Sequence, residues 1–167
     1  MRALKARQLG LAHGQDLDLK NMQSLNIPEA EQSVRLAQET KFLDGYRGRL
    51  EKLAATARAA GIEPVFITKP MLWGAGVDPS TGVNLETVKI DDGKNGKLYW
   101  RMLEFYNDQT RILGREKGVA VIDMARAMPK DSKYFYDGIH LSKEGAVKFA
   151  ELAGSELTKH FKTLNIK

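Results

Sequence analysis

PVFITKP, residues 64 to 70, holds four consecutive β-branched or aromatic residues, Val65, Phe66, Ile67 and Thr68, between two prolines. A strand with one wet face would alternate apolar and polar residues. This run does not alternate, which predicts a strand covered on both faces, as in a parallel sheet. VAVIDM, residues 119 to 124, repeats the pattern after Gly118. Between the two lies a helical stretch from about Lys97 to Lys117, with Leu98, Met102, Phe105, Tyr106, Gln109, Ile112 and Leu113 along one side. Strand, helix and strand in that order predict an α/β fold with right-handed crossovers between parallel strands.

Outward from this unit, Pro28 can open a helix at its first turn. From Glu29 to about Ala60, Leu43, Tyr46, Leu50, Leu53, Ala54 and Ala57 recur at helical steps, and Gly61 is a natural stop. The first 28 residues are irregular. Residues 71 to 96, MLWGAGVDPSTGVNLETVKIDDGKNG, form a loop too long and too rich in Gly, Asp and Asn to be incidental, and VNLETVKI within it can make a short hairpin arm. A last helix begins at a Ser142 cap and carries Ala146, Phe149, Ala150, Ala153, Leu157 and Phe161 on its inward stripe.

Composition narrows the classes. A chain of 167 residues fits one domain, 1–167, able to hide roughly 70% of its unfolded surface. The 43% hydrophobic and 28% charged residues are those of an ordinary globular protein, and no apolar run reaches the roughly 20 residues that cross a bilayer. The net charge of +5 is mixed along the chain, so neither a nucleic-acid partner nor a membrane is expected. With no cysteine, disulfides and thiolate metal sites are excluded. MRALKARQLGLAHGQ lacks a signal-peptide apolar core. As written the chain reads as cytoplasmic, its native location being unknown if an export signal lies upstream.

The chemistry concentrates in YFYDGIHLSKEG, residues 134 to 145, in the loop between the second strand and the last helix. This is the end of an open α/β sheet where ligands bind. A histidine can take a proton from a hydroxyl and return it to a leaving group when a carboxylate fixes its tautomer. Asp137, three residues before His140, can be that carboxylate. The plainer alternative is an Asx turn at Asp137, with His140 packed at the start of the helix.

The wider stretch resembles the SGNH, or GDSL-type, serine hydrolases. Their last signature is an Asp-x-x-His pair preceded by aromatics and followed by a Ser or Thr cap, a Gly and a final helix; Phe135, Tyr136, Asp137, Gly138, His140, Leu141, Ser142 and Gly145 match. FITKPMLW resembles the family's fourth strand and following loop, and LEFYNDQTRILGREKGVAVIDMARAMP its helix and fifth strand. The resemblance spans roughly residues 40 to 160. It implies the carboxyl part, residues 29–167, of a three-layer flavodoxin-like fold with parallel strands, a shallow cleft for a small-molecule carboxylic ester, and no cofactor. His140 would be the general base and Asp137 its orienting partner. Met71, Leu72 and Trp73 are candidates for lining an acyl pocket.

The same resemblance calls for a Gly-Asp-Ser nucleophile after a first strand and a Gly-x-Asn-Asp oxyanion segment. Neither is present. Serines stand at 24, 33, 80, 132, 142 and 155, and none follows a Gly-Asp pair. Ser132, in PKDSKY, reads as a turn serine, and Asn107-Asp108 as a solvated helix face rather than the oxyanion pair. The expectation is a chain missing its amino-terminal strands, produced by truncation, an internal start or gene fragmentation. A homo-oligomer would then cover the exposed sheet edge. The second reading is an inactive relic or interaction module of the same fold. His13 with Asp16 and Asp18 reads as a polar loop rather than a metal site. His160 suits a helix C-terminus, and Tyr99, Trp100, Phe105 and Tyr106 read as core rather than as a base-stacking platform.

Overall fold

The computed structural model describes residues 17–91 and 93–163. In chain order the elements are α1 (Glu29–Glu39), α2 (Leu43–Ala59), β1 (Val65–Ile67), β2 (Lys89–Asp91), β3 (Lys94–Asn95), α3 (Gly96–Lys117), β4 (Ala120–Ile122), α4 (Met124–Ala127) and α5 (Lys143–Thr163). β1 and β4 pair in parallel, with Phe66 opposite Val121, while β2 and β3 form a separate antiparallel ribbon. The protein is therefore mixed α/β, mostly helical, around a small parallel sheet.

Alternation along β4 separates the layers. A Cβ on Gly114 of α3 would stand 2.3 Å from a Val121 methyl and 2.9 Å from the Val119 carbonyl, so α3 reaches the sheet at its smallest residue. Ile122 faces the other way. It joins a core of Leu19, Trp73, Met124, Met128 and Phe135, against which Phe149, Ala153 and Leu157 of α5 pack. Helices thus cover both faces of β4.

The strand ends are tied to α3 by polar side chains. Arg111, 7% exposed, donates to Asp123 at 2.9 and 2.8 Å, to Glu104 at 2.8 Å and to Asp108 at 2.7 Å. Burial would drive its proton off, but the carboxylates of Asp123, Glu104 and Asp108 outweigh burial and raise its pKa. Asp123 also accepts from the Thr68 hydroxyl at 2.8 Å, which links β1 to β4 through one carboxylate.

Asn107 corrects the sequence reading of a solvated face. It is 3% exposed, accepts from the Lys69 amide at 2.9 Å and donates to the Lys69 carbonyl at 3.1 Å, taking the place of the next strand residue.

Other expectations needed revision. The single helix from Glu29 to Ala60 is broken by a 3-10 turn at Thr40–Phe42, where the Thr40 hydroxyl bonds back to the Ala37 carbonyl. β1 is not covered on both faces. Val65 and Phe66 are half-buried and Ile67 is 45% exposed, because β1 has β4 as its one strand neighbour among the described residues. Of the stripe assigned to α5, Ala146, Ala150 and Phe161 are exposed. The hairpin arm starts within VNLETVKI, whose last two residues, Lys89 and Ile90, open β2, and it turns back at β3, with Gln23 to Leu25 paired along it through Lys89 N–H to the Gln23 carbonyl and Leu25 N–H to the Thr87 carbonyl. The irregular amino-terminal segment is thus docked from Leu19 onward, and Leu19 is 1% exposed.

The long loop is held from within. Asp78 is fully buried and accepts from the Ser132 amide (2.7 Å), the Ser132 hydroxyl (2.8 Å) and the Thr81 hydroxyl (2.5 Å). Ser80 donates to Asp131 at 2.6 Å alongside. Removing a buried acceptor with three donors leaves those donors unpaired, at about 1–3 kcal/mol each when no water replaces it. Asp78→Ala is expected to lower unfolding stability by about 3 kcal/mol, measured by urea denaturation. Faster amide exchange confined at first to residues 76–86 and 130–134 would accompany it.

Candidate functional site

Asp137 performs both roles that the sequence left as alternatives. Its Oδ1 accepts from the amides of Ile139 (3.0 Å) and His140 (2.8 Å), which is the Asx turn, while its Oδ2 lies 2.7 Å from His140 Nδ1. An ionised carboxylate only accepts, so Nδ1 carries a proton, and in the neutral ring the lone pair is then on Nε2. This is the tautomer that a general base requires. The Tyr136 ring stacks on the imidazole, with centroids 5.5 Å apart and planes inclined by 9°. Burial acts to raise the Asp137 pKa, but the His140 amide and ring and the Ile139 amide outweigh it and hold the carboxyl below its ordinary value. The side chains are 40% (Asp137) and 54% (His140) exposed, so the dyad is open to a reactant.

The turn is built on the start of the long loop. Gly138 has φ +86°, and a Cβ there would stand 2.3 Å from the Trp73 indole. Its carbonyl accepts from Leu72 N–H at 2.8 Å. On the other side, Tyr136 N–H bonds the His140 carbonyl at 3.1 Å and Ser142 N–H bonds the Tyr134 carbonyl at 2.9 Å. The Ser142 hydroxyl accepts from Gly145 N–H at 3.0 Å and so caps α5. Gly145 itself is required by contact, since a Cβ would fall 1.9 Å from the Tyr134 carbonyl oxygen.

Leu72 and Trp73, expected to line a pocket, are buried in the core at 0% and 2% exposure and support the dyad from beneath. Met71 lines a cavity of about 250 Å³ next to Ile139.

Lys130 was not foreseen. Its ammonium donates to the carbonyls of Met71 (3.1 Å) and Trp73 and lies 5.5 Å from the centre of the Trp100 ring. Burial pushes it down to about 8, partly offset by Glu104. A lone lysine after a proline carries no sequence signal for this, because its partners are backbone atoms more than fifty residues away.

The serines serve elsewhere. Ser33 bonds the Glu29 carbonyl, Ser80 Asp131, Ser132 Asp78, and Ser142 the Lys133 carbonyl. Ser24 sits in a bridge to Val88 and Ser155 within α5. His13 and Asp16 lie outside the described residues; Asp18 accepts from the Asn21 side chain at 2.7 Å. No group of three or more potential metal ligands occurs among the described residues, and no helix there is long and apolar enough to cross a membrane. His160 stands apart from the dyad on the last turns of α5, with Nε2 buried and lacking a hydrogen-bond partner.

A depressed folded-state carboxyl stabilises the protein above its unfolded pKa of about 3.9, and that contribution disappears as pH falls through the lower folded value. Asp137→Asn is therefore expected to flatten the acid limb of stability below about pH 4, read by urea unfolding at stepped pH; an unchanged limb would contradict the assignment. No protein-family model matches this chain, and a search of curated proteins finds no match either.

Proposed function

We propose that the chain is the base-bearing part of an SGNH-type serine hydrolase of carboxylic esters. The observation that carries the reading is the 2.7 Å contact between Asp137 Oδ2 and His140 Nδ1 on an exposed turn. That arrangement orients the ring, selects the tautomer and would stabilise the imidazolium formed when Nε2 takes a hydroxyl proton. The hydroxyl comes from polypeptide other than these 167 residues, in a Gly-Asp-Ser turn that brings its own oxyanion donors. Its place is the open side of β1, where the strand edge is unpaired among the described residues and Ile67 is exposed.

An unpaired edge recruits strands. In the chain alone, a second copy covers it, which gives a homodimer or higher oligomer. The alternative function, a relic or interaction module, is favoured by the commitment of four serine hydroxyls to structural bonds.

Two measurements test this reading. The chain is treated with a fluorophosphonate probe and a short-chain aryl ester, by itself and expressed with the coding sequence immediately upstream of Met1. Labelling and turnover are expected only in the second case, with His140→Ala lowering turnover by a factor on the order of 10⁴. Turnover indifferent to His140→Ala would sink the hydrolase, and absence of labelling in both would leave the interaction module. Light scattering during size-exclusion chromatography of the chain alone should give at least a dimer at micromolar concentration; a clean monomer would refute self-association.

A further inference from the structure

The cavity beside the dyad turn has a shape and wall chemistry of its own. Tyr99, Met102, Leu103 and Tyr106 come from one face of α3, Met71 from the start of the long loop after β1 and Ile139 from the dyad turn. Ile139 immediately precedes His140, and its amide is held by the same Asp137 oxygen that holds the His140 amide. Met71 precedes Leu72, whose N–H is bonded to Gly138. The cavity wall and the dyad turn are therefore joined along both segments, through Ile139 on one side and Met71 on the other.

We propose that this cavity is an acyl pocket. It takes the apolar limb of a short- to medium-chain carboxylic ester and, after hydrolysis, the free carboxylate. The proposal rests on the hydrolase reading and specifies the substrate class for it. Size sets the scale: an apolar cavity of about 150 Å³ accepts the six carbons of benzene, so the 250 Å³ here accommodates about ten heavy atoms in proportion. A sixteen-carbon chain would run well beyond the walls. A sugar is disfavoured because most of the wall is thioether, aliphatic or aromatic and would leave hydroxyls unpaired.

Charge adds an end-group preference. Three ionisable side chains also line the cavity, Glu39, Lys69 and Lys94. Lys94 is paired with Asp91 at 2.7 Å, and Glu39 accepts from the Tyr106 hydroxyl at 3.3 Å. Lys69 is exposed and forms no ion pair among the described residues. It is the cation available to a carboxylate.

The test uses the whole chain with its methionine methyls labelled with carbon-13. Octanoate, with ten heavy atoms, is titrated against octanol, acetate and hexadecanoate. Octanoate is expected to shift Met71 and Met102 saturably while Met124 and Met128 stay in place, with acetate and hexadecanoate giving no saturable shift. Leu103→Trp, which fills the cavity, should weaken octanoate binding at least about ten-fold, a little over 1.4 kcal/mol. Lys69→Ala alters an exposed side chain and so should leave the fold intact. It should weaken octanoate about five-fold, the equivalent of a near-surface charge pair, and leave octanol unchanged.

Unsaturable shifts, shifts spread over all the methionines, or equal octanoate affinity in a folded Leu103→Trp would overturn the pocket. So would equal losses for octanoate and octanol in Lys69→Ala. Binding requires neither the nucleophile nor His140, so His140→Ala should retain it. Failure of octanoate to bind thus refutes the pocket without touching the labelling result, and failure of labelling with octanoate binding intact refutes the hydrolase alone.

Discussion

The close approach of Gly138 to Leu72 and Trp73 is the constraint on which the site depends. The Leu72 amide bonds the Gly138 carbonyl while the Trp73 indole occupies the space where a side chain would be. The dyad turn is consequently pressed onto the start of the long loop. That loop start is itself held by the Lys130 ammonium on the Met71 and Trp73 carbonyls. Without this platform, Asp137 and His140 would sit on a glycine-containing surface loop, and a 2.7 Å contact between exposed groups gains little free energy of its own. Packing supplies the rigidity, and the carboxylate uses it.

Asp137 illustrates how one side chain can serve structure and chemistry together. One oxygen ties down two amides, and the other orients the imidazole. The two uses support one another, because the oxygen that forms the turn also fixes the direction of the second. Elsewhere, polar groups do purely structural work. Asp78 gathers Ser132 and Thr81, and Arg111 gathers three carboxylates at the strand ends. Buried charges of this kind survive through complete pairing. The sheet end next to the dyad is thereby held firm, while the free edge of β1 carries half-buried apolar residues that a complete sheet would cover.

Much of this was legible in the residue order. The two strand segments, the helix between them, the Ser142-capped start of α5, and the Asp137–His140 spacing all follow from local patterns of short range, where backbone propensity and periodicity act within a turn or two. The break at Thr40 and the pairing of Gln23 to Leu25 along the hairpin escaped, since each depends on a side-chain bond or a register that periodicity does not encode.

What the sequence determined by itself was the mixed α/β character and the presence of an acid and an imidazole three residues apart in a turn. Tertiary structure decided the rest. It put Trp73 and Leu72 in the core beneath the turn, buried Asn107 against the Lys69 backbone, recruited Lys130, and left β1 with a single strand neighbour among the described residues. The physical reason is range: periodicity records which face of an element is apolar, whereas these outcomes depend on which distant backbone atom or ring comes to lie opposite that face.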